Sequence, residues 1–150
     1  MIIRTTVVSG VIVLAVFAII FIFGAVTGNG KAEAEEAAQP NKLMVLWTSA
    51  DREVAIKMVY MYAYNAKKNG WWDEVRFVIW GPSSKLLSED TEIQEYLKKM
   101  KDEGVIIEAC QACADMYGVS DKLRAMGVDV KYMGMPVTDM LKSGYASMTF

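Results

Sequence analysis

Hydrophobic and polar positions follow two regimes along the chain. Residues 1–26 hold 20 apolar or aromatic side chains and one charge, Arg4, and Val11 to Phe23 is unbroken apolar sequence. From Asn41 onward, short apolar runs alternate with longer segments whose apolar residues recur at helical spacing. Leu43 to Thr48 (LMVLWT) reads as a strand. Arg52 to Lys68 reads as a helix with Ala55, Val59, Tyr62 and Ala66 on one face, Asp51 as its N-cap and Asn69-Gly70 as its stop. Val75 to Trp80 is a second strand ended by Gly81-Pro82, followed by a Ser/Lys/Leu segment and a helix over Thr91 to Lys101. Val105 to Ala109 is the third strand, and a helix begins in the run after it. Another helix covers Asp121 to Met126. Val128 to Met133 is the fourth strand, Val137 to Lys142 a short helix, and Ala146 to Phe150 a terminal strand.

Strand and helix in alternation predict a three-layer α/β/α domain over residues 42–150, with a mostly parallel sheet of about five strands and helices on both faces. In open parallel sheets ligands sit outside the carboxyl ends of the strands. Those ends are Ser49-Ala50-Asp51, Gly81-Pro82-Ser83-Ser84, Cys110 to Cys113, and Met133-Gly134-Met135-Pro136.

The N-terminal run sets where this domain works. Val7 to Val26 is 20 residues, ~30 Å as a helix, which matches the hydrocarbon thickness of a bilayer. A removable signal has a shorter apolar core, and the small-x-small triplet Ala32-Glu33-Ala34 lies well beyond this one. Residues 1–30 therefore read as one transmembrane helix or a signal segment, and residues 31–41 as a linker. The free amine and Arg4 lie on one side of the span and Lys31 and Lys42 on the other, and the reading leans toward an extracytoplasmic domain on a single-pass anchor, or a secreted one if the segment is cleaved. GAVTGNGKA imitates a phosphate loop, but that motif needs glycine at Ala25 and Ser or Thr at Ala32.

Composition removes much of the usual catalytic repertoire. The 150 residues contain no histidine and two cysteines. Serine triads, Cys-His pairs, HExxH zinc sites and four-thiolate zinc within one chain are thereby excluded. A net charge of -2 offers no basic face for nucleic acid. Both cysteines fall on the ligand edge as Cys110-Gln-Ala-Cys113, at a strand-to-helix junction. There the first helical turn favours thiolate at Cys110, the candidate nucleophile, while Cys113 is placed to form a disulfide with it or to accept its sulfur.

At these residues the chain resembles a known family. EACQACADMYGVSDKLRAMGVDVKYMG, with VIWGPSSKLL before it and MLKSGYASMTF at the end, is similar to the DsrE/DsrF-like (YchN-like) sulfur-relay proteins over Lys42 to Phe150. The resemblance implies a compact α/β domain that associates as a trimer or hexamer. It also implies a persulfide on the cysteine after a central strand, which matches Cys110. Two positions depart from the carriers: Cys113 stands where alanine is common, and Tyr117 replaces an arginine.

Three functions follow as expectations. The first is a carrier or sulfurtransferase holding sulfane sulfur on Cys110, with Cys113 assisting, no cofactor, and donor and acceptor proteins as partners. It requires an exposed sulfur more than a pocket. The second is a thiol-disulfide module using the pair. The third is a non-enzymatic scaffold or soft-metal binder, in which Met133 and Met135 join the thiolates. Ser49, Gly81, Ser83, Ser84, Tyr117 and Met135 are candidates for contacting substrate. Ser83 and Ser84 read first as a helix cap, and Trp71-Trp72 as closing the first helix onto the sheet or filling an oligomer interface.

Overall fold

The computed structural model describes residues 41–150, so the expected anchor and all of the linker but Asn41 lie outside the described residues. Five strands form one sheet in the order β4-β3-β2-β1-β5: β1 (Lys42–Trp47), β2 (Glu74–Ile79), β3 (Ile106–Cys110), β4 (Asp129–Lys131) and β5 (Ala146–Thr149). Every pairing is parallel. The helices are α1 (residues 52–68), α2 (Ser83–Glu89), α3 (Thr91–Asp102), α4 (Gln111–Met116), α5 (Ser120–Ala125) and α6 (Gly134–Lys142). None of them is long and apolar enough to cross a membrane.

Local signals explain most boundaries. Asp51 caps α1, its Oδ1 accepting from the Val54 amide at 3.1 Å, and Asp90 caps α3 in the same way through Ile93. Gly70 closes α1 at φ 64°, and Trp72 then packs against the core while Trp71 stays half exposed. Within α1, Ala55–Tyr60 has π-type hydrogen bonding. The Ser/Lys/Leu segment proves to be α2. The fourth strand is shorter than its apolar pattern suggests, because α6 already begins at Gly134. Pro136 fits there, since a first turn has no use for its missing N–H.

Helices do cover both faces, but unequally. From β1 to β4 each strand is added on the same side of the last, so right-handed crossovers lay α1 to α5 on one face. Only the return to β5, beyond β1, carries a helix, α6, across the other face. The first face holds the main core: Leu43, Val45 and Trp47 of β1, Val75, Phe77 and Ile79 of β2, with Ala55, Val59, Tyr60, Ile93 and Leu97. Its centre is aromatic, Tyr60 packing edge-on to Trp47 with centroids 5.3 Å apart and lying 5.1 Å from Phe77.

The second face divides in two. Toward the carboxyl edge, Met44, Val78, Cys110, Met133, Val137 and Met140 form a small separate core under α6. Toward the amino edge the outward positions of the same strands are charged. Lys42 and Arg76 flank Glu74, and Arg76 and Lys131 converge on Glu108.

Candidate functional site

Alternation along β3 sets the site. In Ile-Ile-Glu-Ala-Cys, positions 108 and 110 share a face, so Glu108 and Cys110 lie on the side that α6 covers. Cys110 ends the strand and is the N-cap of α4, with φ -71° and ψ 112°. It is 5% exposed. The sequence reading required an exposed sulfur, and the structure corrects this for Cys110: the residue lies among Met44, Val78, Met133, Val137 and Met140. Cys113, one turn further along α4, packs against the same group and is the more accessible thiol.

Both cysteines are free thiols, and they interact. The Cys113 thiol is raised above its ordinary pKa, first by burial and then by its hydrogen bond with Cys110. The backbone N–H of Gly81, pointing at the Cys113 sulfur, works in the opposite direction. Gly81 adopts φ 77°, a left-handed conformation that glycine takes without steric cost. The loop after β2 is thus shaped to present an amide to the second cysteine.

The other candidates separate into distinct roles. Ser83 is fully buried and ties two strand ends together: its Oγ donates to the Trp47 carbonyl at 2.6 Å and accepts from the Trp80 amide at 3.2 Å. It does not cap α2, whose N-cap is Pro82 without a side-chain bond. The Ser84 hydroxyl is buried with no partner among the described residues. Ser49 accepts from the Asp51 amide at 3.0 Å, shaping the turn after β1. Tyr117 is 41% exposed and borders a cleft of about 300 Å³ with Ala50, Pro82, Lys85, Leu86 and Glu89. Met135 points largely into solvent, whereas its neighbour Met133 is fully buried. A roomier groove of about 780 Å³ lies between α1 and α3 and includes none of these residues.

Glu108 and Lys131 were missed as neighbours of the site. Glu108 is 1% exposed, and its Oε1 takes Arg76 Nη1 at 3.0 Å and Lys131 Nζ at 2.7 Å. Oε2 has no partner. Lys131 is the register partner of Cys110 on the adjacent strand. The spacing of Glu108 from Cys110 was a readable signal; the pairing of β3 with β4 was not.

A model of the DsrE/DsrF-like family matches residues 41–150, the whole described domain. The chain belongs to this family. Its members generally serve sulfur relay, working with partner proteins. Among solved structures, the conserved protein of unknown function BT1422 from Bacteroides thetaiotaomicron is 38% identical with a TM-score of 0.71, the match covering 73% of this chain and 95% of that one. YchN from E. coli shares the fold at 16% identity and a TM-score of 0.57, covering 73% of this chain and 97% of that one. No curated protein matches the sequence.

Proposed function

We propose that this DsrE-like domain carries sulfane sulfur as a persulfide on Cys110, with Cys113 as the assisting or resolving thiol. The observation that carries the reading is the thiol pair itself: two interacting sulfurs at the carboxyl end of a central strand, in a family of sulfur-relay proteins. Loading is a displacement. The Cys110 thiolate attacks the outer sulfur of a donor R–S–SH, the S–S bond breaks, R–S⁻ leaves and Cys110–S–SH remains. An acceptor thiolate repeats the step on the outer sulfur and restores the Cys110 thiolate.

With no histidine in the chain, the thiolate depends on its surroundings. Cys113 holds its proton above the ordinary thiol range and donates it in a hydrogen bond to Cys110. Sulfur reaches Cys110 from the Cys113 side, the more accessible of the two.

The thiol-to-thiol contact also favours a second reading. Attack of the Cys113 thiolate on the inner sulfur forms a Cys110–Cys113 disulfide and releases HS⁻, and a dithiol reductant then resets the pair. A domain held outside the cytoplasm by residues 7–26, and associated as a trimer or hexamer, completes the proposal. Its partners are proteins that present a persulfide or a thiol.

The test is intact-protein mass spectrometry after anaerobic incubation with a low-molecular-weight persulfide. Carriage on Cys110 gives one added sulfur in wild type and in Cys113→Ser, and none in Cys110→Ser. A loss of two hydrogens with release of sulfide, abolished in Cys113→Ser, supports the disulfide reading. No change in mass with several donors would overturn both.

A further inference from the structure

The small core under α6 is rich in sulfur. Of its six buried members, Met44, Cys110, Met133 and Met140 carry a sulfur atom, and Cys113 packs against them. Composition alone could not single these residues out, because 11 methionines are spread along the chain and most sit at ordinary helical positions. Met133 and Cys110 occupy equivalent places in the topology. Each is the N-cap residue of the helix that follows its strand, α6 after β4 and α4 after β3, and those two strands are neighbours. The pairing of β3 with β4 brings the two strand ends side by side.

We propose that Cys110, Cys113 and Met133 form a Cu(I) site. Thiolate and thioether sulfurs are the soft donors that select Cu(I). Harder or four-coordinate metals find no ligand set: the chain has no histidine, and among the described residues no three Cys, Asp or Glu side chains gather. Met133 is fully buried and Cys110 nearly so, which shields the ion from water and oxidant, while Cys113 gives it access.

Binding converts Cu⁺ and two thiols into a bis-thiolate complex of charge -1 with release of two protons, and the Met133 thioether adds a neutral third ligand. One group already in place suits that charge: the Gly81 amide points at the Cys113 sulfur. Copper and sulfane sulfur would compete for the same thiols, so the site links metal availability to sulfur handling. That last consequence rests on the persulfide reading; the metal site itself does not.

The experiment is anaerobic titration of the reduced, metal-free full chain with Cu(I) against a chromophoric Cu(I) chelator, followed by X-ray absorption at the copper edge. The expected result is one copper per chain, withdrawn from the chelator by wild type and left with it by Cys110→Ser and Cys113→Ser. Met133→Leu, close in volume, weakens affinity on the order of 10-fold or more and lowers the sulfur scatterers from three to two. The circular dichroism spectrum checks that each variant is folded. Copper left with the chelator in the wild type overturns the site. Two scatterers in wild type, with Met133→Leu unchanged, overturn the role of Met133. Sulfur gain on Cys110 in metal-free protein is measured separately, so either reading can fail alone.

Discussion

Cys113 keeps its proton for reasons that can be taken apart. Burial raises its pKa most, the hydrogen bond with Cys110 adds to that, and the Gly81 amide offsets part of both. A raised thiol has less thiolate at neutral pH than a free cysteine, so Cys113, the more accessible member of the pair, reacts more slowly than an unperturbed cysteine would. The pH dependence of alkylation at Cys113, followed by peptide mass spectrometry, should therefore have its midpoint above the ordinary thiol range. In Cys110→Ala the hydrogen bond is gone and burial remains, so the midpoint should fall toward the ordinary value without reaching it. An unchanged midpoint in that variant would mean that the two sulfurs do not share a proton. Gly81 permits a second check, because no atom lies within 4 Å of where its Cβ would be. Gly81→Ala then costs only the left-handed backbone, about 1–2 kcal/mol, measurable as a lower urea midpoint.

At the scale of elements, the charged half of the second sheet face is as informative as the sulfur half. Glu108 is buried on β3 and held by Arg76 from β2 and Lys131 from β4, so one carboxylate joins three strands. Removing one partner of a buried ion pair costs about 3–5 kcal/mol when the other is left stranded. Here the cations are 29% and 40% exposed and can return to water. Glu108→Gln should therefore destabilise by a smaller amount, about 1–3 kcal/mol, seen as a lower urea midpoint with an unchanged slope. A variant as stable as wild type would show that the network is worth no more than a surface pair. Strands, most helices and the thiol edge were legible in the sequence because each rests on local signals: the Asp51 cap, the Gly70 stop, the alternation around Cys110. Strand order was not, since nothing local in β3 announces β4 as its neighbour. For the same reason the burial of Cys110 beneath α6, and the nearness of Lys131, were invisible. The role of Ser83 was hidden too, because its hydroxyl bonds a carbonyl 36 residues away.

At the scale of the whole chain, the sequence falls into two hydrophobic regimes. Among the described residues the buried core comes from residues 43–140, with Tyr145, Ala146, Met148 and Phe150 packed against it. Residues 7–26, as a helix, would be as long as a bilayer is thick. A chain beginning at Asn41 should then unfold cooperatively in urea, with β1, which starts at Lys42 and pairs on both sides, intact. Failure of that fragment to fold would place part of the core in the preceding residues. The full chain should stay with the membrane fraction through a high-pH wash, while the fragment appears in the supernatant. Full-length mass in the pellet means an uncleaved anchor, whereas a soluble product shortened near Ala34 means a signal that is removed. The two outcomes assign the thiols different surroundings. An anchored domain meets its partners on a surface, where a lateral encounter can move a sulfur atom from one protein to the next. A released one must find them by diffusion, with Cys110 protected meanwhile only by the residues packed over it.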